Sequence, residues 1–180
     1  MDIRTGDARN EMLGLLGSRR KGFSLQQPFY IDPEFFRLDM ELIWYRDWLF
    51  VGHDCEIARP GAFFTVQIGD HPVVVVRGRD GVIRAMHNTC RHRGSRVCTA
   101  ERGSSARLVC PYHQWTYNLK GDLTAIPFRR GIRKQGGMPA DFDLKSHHLQ
   151  QLKVATYNGT IFASFDHGMP SLEEYLGPKM

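Results

Sequence analysis

Two short runs hold the residues in this 180-residue chain best suited to chemistry: Cys90-Arg91-His92 and Cys110-Pro111-Tyr112-His113. Each sets one thiol and one imidazole within three positions of each other, and 17 residues lie between the runs. Thiolate and imidazole are the donors that zinc and iron–sulfur centres take. A metal centre of two sulfurs and two nitrogens is therefore the chemistry that these spacings point to. A lone buried cysteine is usually a small hydrophobe. The pairing, made twice, separates this pattern from that background.

Two centres fit the donor count. Zinc accepts two cysteines and two histidines in a tetrahedral site, but its common sequence pattern keeps both cysteines together and both histidines elsewhere. Here each loop mixes the two types, which suits a dinuclear [2Fe–2S] cluster with one iron on Cys90 and Cys110 and the other on His92 and His113. Two ferric ions, two sulfides and two thiolates sum to zero charge, whereas four thiolates would leave two negative charges. The neutral cluster takes up an electron more readily, at roughly −150 to +300 mV rather than about −400 mV. One-electron transfer is the activity this reading implies, and a structural zinc domain is its alternative.

Such loops need rigid supports, and the flanking sequence reads as strands. Residues 48–51, 63–68, 73–76, 82–86, 115–119, 152–157 and 160–165 are short β-rich runs. Gly69-Asp70, Arg79-Asp80-Gly81, Lys120-Gly121-Asp122 and Asn158-Gly159 punctuate them as turns, the last a type I′ pair. The fold class is mostly β with flanking helices: an antiparallel sandwich with a small cluster-binding subdomain. Asp32-Pro33-Glu34 predicts a helix start. Phe35, Leu38, Leu42 and Ile43 form its apolar face, and Trp44, Tyr45, Trp48 and Phe50 read as core aromatics packed on a sheet. Ser171 and Glu174 form a capping box for a final helix.

The chain divides into a peripheral segment (1–28) with a solvated basic knot at Arg19-Arg20-Lys21, a helical lead-in (29–47), a β domain (48–170) whose ligand loops are 88–97 and 108–117, and a linker start (171–180). Residues 126–150 break the strand rhythm and carry Arg129, Arg130, Arg133 and Lys134. They read as a solvent-exposed loop, with a docking surface for an acidic electron donor as the functional reading.

Composition narrows the classes. Apolar residues are 42% and charged residues 24%, ordinary for a globular domain, and the net charge of +5 is dispersed rather than gathered in a nucleic-acid arm. No apolar run approaches the roughly 20 residues of a membrane span, and the first residues carry no secretory core. No membrane association and a cytoplasmic location are expected. The four cysteines, Cys55 and Cys98 among them, read as ligands or buried thiols rather than a disulfide framework, with Cys98 a free thiol. No glycine-rich phosphate loop is present, so neither nicotinamide nor flavin binding is expected.

Residues 88–119, from Asn88-Thr89-Cys90-Arg91-His92-Arg93-Gly94 to Cys110-Pro111-Tyr112-His113-Gln114-Trp115-Thr116-Tyr117, resemble the Rieske domain of ring-hydroxylating oxygenase α-subunits. Looser similarity extends over about residues 28–178, nearest to α-subunits acting on aromatic acids, with relatives that oxidise quaternary ammonium compounds. Respiratory Rieske proteins carry an extra cysteine in each loop. Ser95 and Tyr112 stand at those positions here, so that disulfide is ruled out. Gln114 replaces the glycine more often found after the second histidine. The resemblance implies backbone amides around the sulfurs, Trp115 as a shield, and Arg91 and Arg93 beside His92.

It also implies a reductase or ferredoxin as electron donor, electrons ultimately from NAD(P)H, and a mononuclear Fe(II) in a catalytic domain, reached across a subunit boundary of a trimer. Non-haem oxygenases hold that iron with two histidines and a carboxylate. The histidines left over are His53, His71, His87, His147, His148 and His167, and none shows that motif spacing with an acid. The oxygen-activating site is expected to lie outside this chain. A stand-alone Rieske ferredoxin is the second alternative.

Overall fold

The computed structural model describes residues 3–133 and 135–178. Met1, Asp2, Lys134 of the basic stretch, and Lys179 and Met180 of the expected linker lie outside the described residues. The chain forms two compact units, Met1–Asp47 and Trp48–Met180.

The first unit is helical. Helix α1 (Ile3–Gly17) lies against α3 (Pro33–Asp39), with the single turn α2 (Pro28–Ile31) between them in sequence. Asp32 caps α3 as its sequence predicts: its carboxylate accepts the amide protons of Glu34 and Phe35 at 2.8 and 3.3 Å. Phe35 and Leu38 are buried, but the apolar face stops at Met40. Leu42, Ile43 and Trp44 are about half exposed. Over Met40–Trp44 the chain makes a π turn, closed by Tyr45 N–H donating to the Met40 carbonyl at 2.9 Å. Each π turn spends one extra residue per turn, so residues counted at α-helical spacing rotate off the buried face. Of the four aromatics assigned to the core, Trp48 alone is buried; Phe50 is 54% exposed.

The second unit is built from three antiparallel sheets. Strands β1 (Leu49–His53), β9 (Lys153–Tyr157) and β10 (Thr160–Ser164) form one, in the order β1-β10-β9. The Asn158-Gly159 turn joins β9 to β10, with φ of 47° and 79°, as a type I′ turn requires. Strands β2 (Ala62–Ile68), β3 (His71–Arg77), β4 (Ile83–His87) and β5 (Arg102–Ser104) form the second, in the order β4-β3-β2-β5. Val73–Val76 of β3 are wholly buried, the continuous apolar run of a central strand. The third sheet is small: β6 (Leu108–Val109), β7 (Thr116–Tyr117) and β8 (Leu123–Ala125). Its strands are two or three residues long, too short for an alternating pattern to show in sequence.

Residues 126–150 are not simply an exposed loop. Arg129, Arg130 and Arg133 face solvent, but Ile126, Met138, Phe142 and Leu144 pack against the core formed by the second and third sheets. The chain is pinned there by Leu149 N–H donating to the Gly121 carbonyl at 2.9 Å. Helix α4 (Leu172–Leu176) starts at Ser171, with the reciprocal Ser171–Glu174 capping contacts in place.

Gly121, in the β7–β8 turn, is buried at φ 87°, and a Cβ there would lie 2.6 Å from the Met86 sulfur. Met86 is itself wholly buried and has no room to yield. Gly121→Ala is expected to destabilise the fold by about 2 kcal/mol, from left-handed strain plus overpacking. Thermal unfolding checks this through a Tm lowered by about 4–8 °C.

Candidate metal centre

The two ligand loops are built on one plan. Thr89 pairs with Arg96 and Val109 with Thr116, so each bridge encloses six residues, Cys90–Ser95 and Cys110–Trp115. In both, the first-position cysteine N–H donates to the sixth carbonyl: Cys90 to Ser95 at 2.8 Å, Cys110 to Trp115 at 2.9 Å. In both, the fifth N–H donates back to the cysteine carbonyl, from Gly94 at 3.0 Å and from Gln114 at 2.9 Å. Closing so tight a turn needs a left-handed fifth residue, and φ is 74° at Gly94 and 57° at Gln114.

These turns bring like donors together. Cys90 and Cys110 are buried, with their thiols in hydrogen-bonding reach of each other. The imidazoles of His92 and His113 meet edge to face with centroids 4.6 Å apart. Both Nδ1 atoms are buried and have no hydrogen-bond partner in the protein. Buried polar atoms are nearly always satisfied, and two orphaned nitrogens side by side are what a missing metal partner leaves. Among the described residues, no three His, Cys, Asp or Glu side chains converge on a point where one ion would sit. The residues present fit the cluster.

The surroundings favour the neutral, ligating imidazole at His92, whereas on balance they raise the pKa of the Cys90 thiol. Burial first, then the adjacent His113 and the Arg93 guanidinium, hold the His92 imidazole below its ordinary pKa, favouring its neutral form. Burial pushes Cys90 up, while hydrogen bonds from Tyr117 and from the His92 backbone pull it down. The wholly buried Tyr117 hydroxyl lies 3.4 Å from Cys90 Sγ and accepts the Arg91 N–H at 3.1 Å, which leaves its own proton for the sulfur. Asn88, also wholly buried, accepts the N–H groups of Val97 and Cys98 at 3.2 and 2.7 Å and donates to the Cys98 carbonyl at 2.7 Å. It ties both ends of the first loop together. Cys98 is buried and unpaired, its thiol pushed up to about 11 by burial; Cys55 is unpaired and exposed.

Trp115 stacks on His92 with centroids 4.8 Å apart and planes 10° apart. Phe142 and His147, themselves stacked at 4.5 Å, close on Trp115 from residues 126–150. Tyr112 stacks on His113 at 3.8 Å and is 60% exposed. The hydrogen-bonding roles of Asn88 and Tyr117 carry little sequence signal. Only the inward phase of Trp115, Tyr117 and Leu119, alternating along one run, marks Tyr117 as buried. His71 and His87 stand apart from the site, packed with Phe165.

Residues 47–155 match the Rieske [2Fe-2S] domain, and the chain belongs to that family. Its relatives define the kind. It is 46% identical over 169 residues to the glycine betaine monooxygenase oxygenase subunit of Pseudomonas aeruginosa, covering 94% of this chain and 38% of that one. It is 44% identical to the salicylate 5-hydroxylase large oxygenase component of Ralstonia, covering 86% of this chain and 38% of that protein. Among solved structures, naphthalene 1,2-dioxygenase from Rhodococcus superimposes with a TM-score of 0.82 at 31% identity, over 95% of this chain and 38% of that one. A quaternary ammonium Rieske monooxygenase gives 0.74 at 30% identity, over 83% and 41%. The chain thus spans less than two fifths of the length of these curated relatives. It is a Rieske domain of the oxygenase large-subunit type, the class whose cofactor is a [2Fe-2S] cluster.

Gln114 holds a left-handed conformation that glycine would hold without strain. Gln114→Gly is expected to stabilise the protein by about 1 kcal/mol, a gain of about 2–4 °C in Tm for a chain of this size. An unchanged or lowered Tm would show that the side chain supplies a compensating contact within the chain.

Proposed function

We propose that this chain is the electron-transfer portion of a ring-hydroxylating oxygenase α-subunit, with Cys90 and Cys110 on one iron and His92 and His113, through Nδ1, on the other. The observation that carries it is the pair of buried, unpartnered Nδ1 atoms beside two buried thiols. When bound, such a cluster accepts and returns one electron near the potentials of its class. The chain's own residues do the rest. The two six-residue hairpins fix donor spacing, Tyr117 donates to Cys90, and Trp115 with Phe142 and His147 excludes water from the His92 side.

In the whole protein, residues 48–170 act as the Rieske domain and 171–180 lead toward a catalytic domain that holds mononuclear iron. A reductase or ferredoxin supplies electrons drawn from NAD(P)H, and the assembly is a trimer that hydroxylates its substrate with O2 in the cytoplasm. The support is the identity to oxygenase large subunits over nearly the whole chain. Those relatives are named for substrates as different as glycine betaine and salicylate, which supports a substrate pocket in parts of the protein other than this one.

Anaerobic reconstitution with iron and sulfide tests the ligand set. The expected product is coloured, holds two irons and two sulfides per chain, and becomes paramagnetic on one-electron reduction. His92→Ala and His113→Ala should each abolish it. A colourless protein that takes one zinc per chain and no iron would overturn the reading.

Tyr117→Phe is expected to lower the reduction potential of the loaded protein. A hydroxyl proton on a thiolate stabilises the more negative, reduced state. Losing about 1 kcal/mol of that preference corresponds to roughly 40 mV for one electron. Redox titration followed in the visible range measures it.

A further inference from the structure

Three connections of the second unit each bring one cation to a shared cavity. Arg79 stands in the β3–β4 turn, Arg107 between β5 and β6, and Lys120 in the β7–β8 turn. All three line an open cavity of about 840 Å³, together with Ala106, Leu119 and Ala125. An adjoining hollow of about 280 Å³ shares Arg79, Ala106 and Leu119 and adds Ser104. The cavity lies at the root of the β6–β7 stem. The pairs Leu108–Tyr117 and Val109–Thr116 separate it along the chain from the Cys110–Trp115 loop. No donor of the metal centre lines it.

One acid, Asp80, faces the cavity, and it is already engaged. Its carboxylate accepts two bonds from Arg84, both at 2.9 Å, and Lys120 Nζ lies 3.6 Å away. The Arg79 and Arg107 guanidiniums make no hydrogen bond or ion pair among the described residues. Three positive charges against one negative leave a surplus of two in the lining. The neutral polar side chains are spent on the fold. Asn118 serves Lys120 and Asp122, and the Thr124 hydroxyl donates to the Thr116 carbonyl. What remains for a ligand is positively charged donors over an apolar floor. A single exposed arginine is ordinarily just solvated. Like charges gathered in one concavity repel each other, and a bound anion removes that cost.

We propose that this cavity binds a small organic dianion, a dicarboxylate or a phosphate ester with an apolar body. The Arg79 and Arg107 guanidiniums bind its charged oxygens, since the planar fork matches carboxylate and phosphate alike. Lys120 adds a third positive charge, and Ala106, Leu119 and Ala125 take the ligand's body out of water. The volume is that of a site for one small molecule. Binding is non-covalent and does not depend on the metal centre being loaded.

The test is calorimetric titration of the purified full chain at low salt, where charge is least screened. The probes are adenosine 5′-monophosphate and benzene-1,3-dicarboxylate, with benzoate as the single-charge comparison. At least one dianion should bind about one per chain with a Kd below about 1 mM, and benzoate about tenfold more weakly. Arg79→Gln and Arg107→Gln should each raise the Kd of that dianion about tenfold or more, the loss of a charge-assisted contact. Neither arginine has a partner in the fold, so both variants should unfold at the wild-type temperature. Arg130→Gln removes the same charge from the segment that covers Trp115, and its Kd should stay within about twofold of wild type.

Binding of one probe alone supports the site and names its anionic group as phosphate or carboxylate. Binding of both supports it as a site for either. No saturable binding of either dianion overturns the proposal. So does a wild-type Kd for Arg79→Gln or Arg107→Gln, or an Arg130→Gln effect as large as theirs, which would mark attraction to overall charge alone. None of these outcomes bears on the ligand set of Cys90, His92, Cys110 and His113, which reconstitution tests separately.

Discussion

Two imidazole nitrogens buried without a partner set the terms for the rest of the second unit. A buried polar atom that no protein group satisfies is costly, and here two of them lie side by side above two buried thiols. Each loop is closed by backbone hydrogen bonds of its own, which fix where the donors stand. The same two bonds recur in each hairpin, from cysteine N–H to the sixth residue and from the fifth residue back. Donor geometry is thereby a property of the backbone.

The sheets exist, in functional terms, to hold these turns still. Strand β4 delivers the chain to Asn88, whose side chain locks the first loop onto Val97 and Cys98. Strands β6 and β7 form the stem of the second loop, and β7 carries Tyr117 back under Cys90. Residues 126–150 then close over Trp115 with Phe142 and His147. A segment that reads as a solvent-exposed loop proves half architectural: its arginines face out, while Phe142 and His147 face the centre.

How much of this is legible in the sequence depends on the range of the interaction. The four donors are a local pattern in the sequence, and so are the hairpin at Asn158-Gly159, the cap at Asp32 and the capping box at Ser171, whose local geometry the structure reproduces. Helix α1 escapes notice because Gly6, Gly14 and Gly17 dilute its periodicity. The π turn at Met40–Trp44 shifts Leu42, Ile43 and Trp44 off the buried face, a one-residue slip that no spacing rule anticipates. The contact of Tyr117 with Cys90 joins residues 27 positions apart and depends on how β7 packs. Long-range partners of this kind are set by tertiary structure, so a residue's inward phase is readable where its partner is not.

The stack of His92, Trp115 and the Phe142–His147 pair has a consequence for the speed of electron transfer as well as its direction. When charge arrives at a centre, everything polar and mobile around it must reorient, and that reorganisation is part of the barrier. Trp115 is 3% exposed and flanked by aromatic rings, so on this side the surroundings are stiff, apolar side chains held in place by packing. A ligand histidine bedded against such a wall has little around it to rearrange. The second ligand loop and residues 126–150 therefore keep the energetic cost of changing the centre's charge low, in both directions.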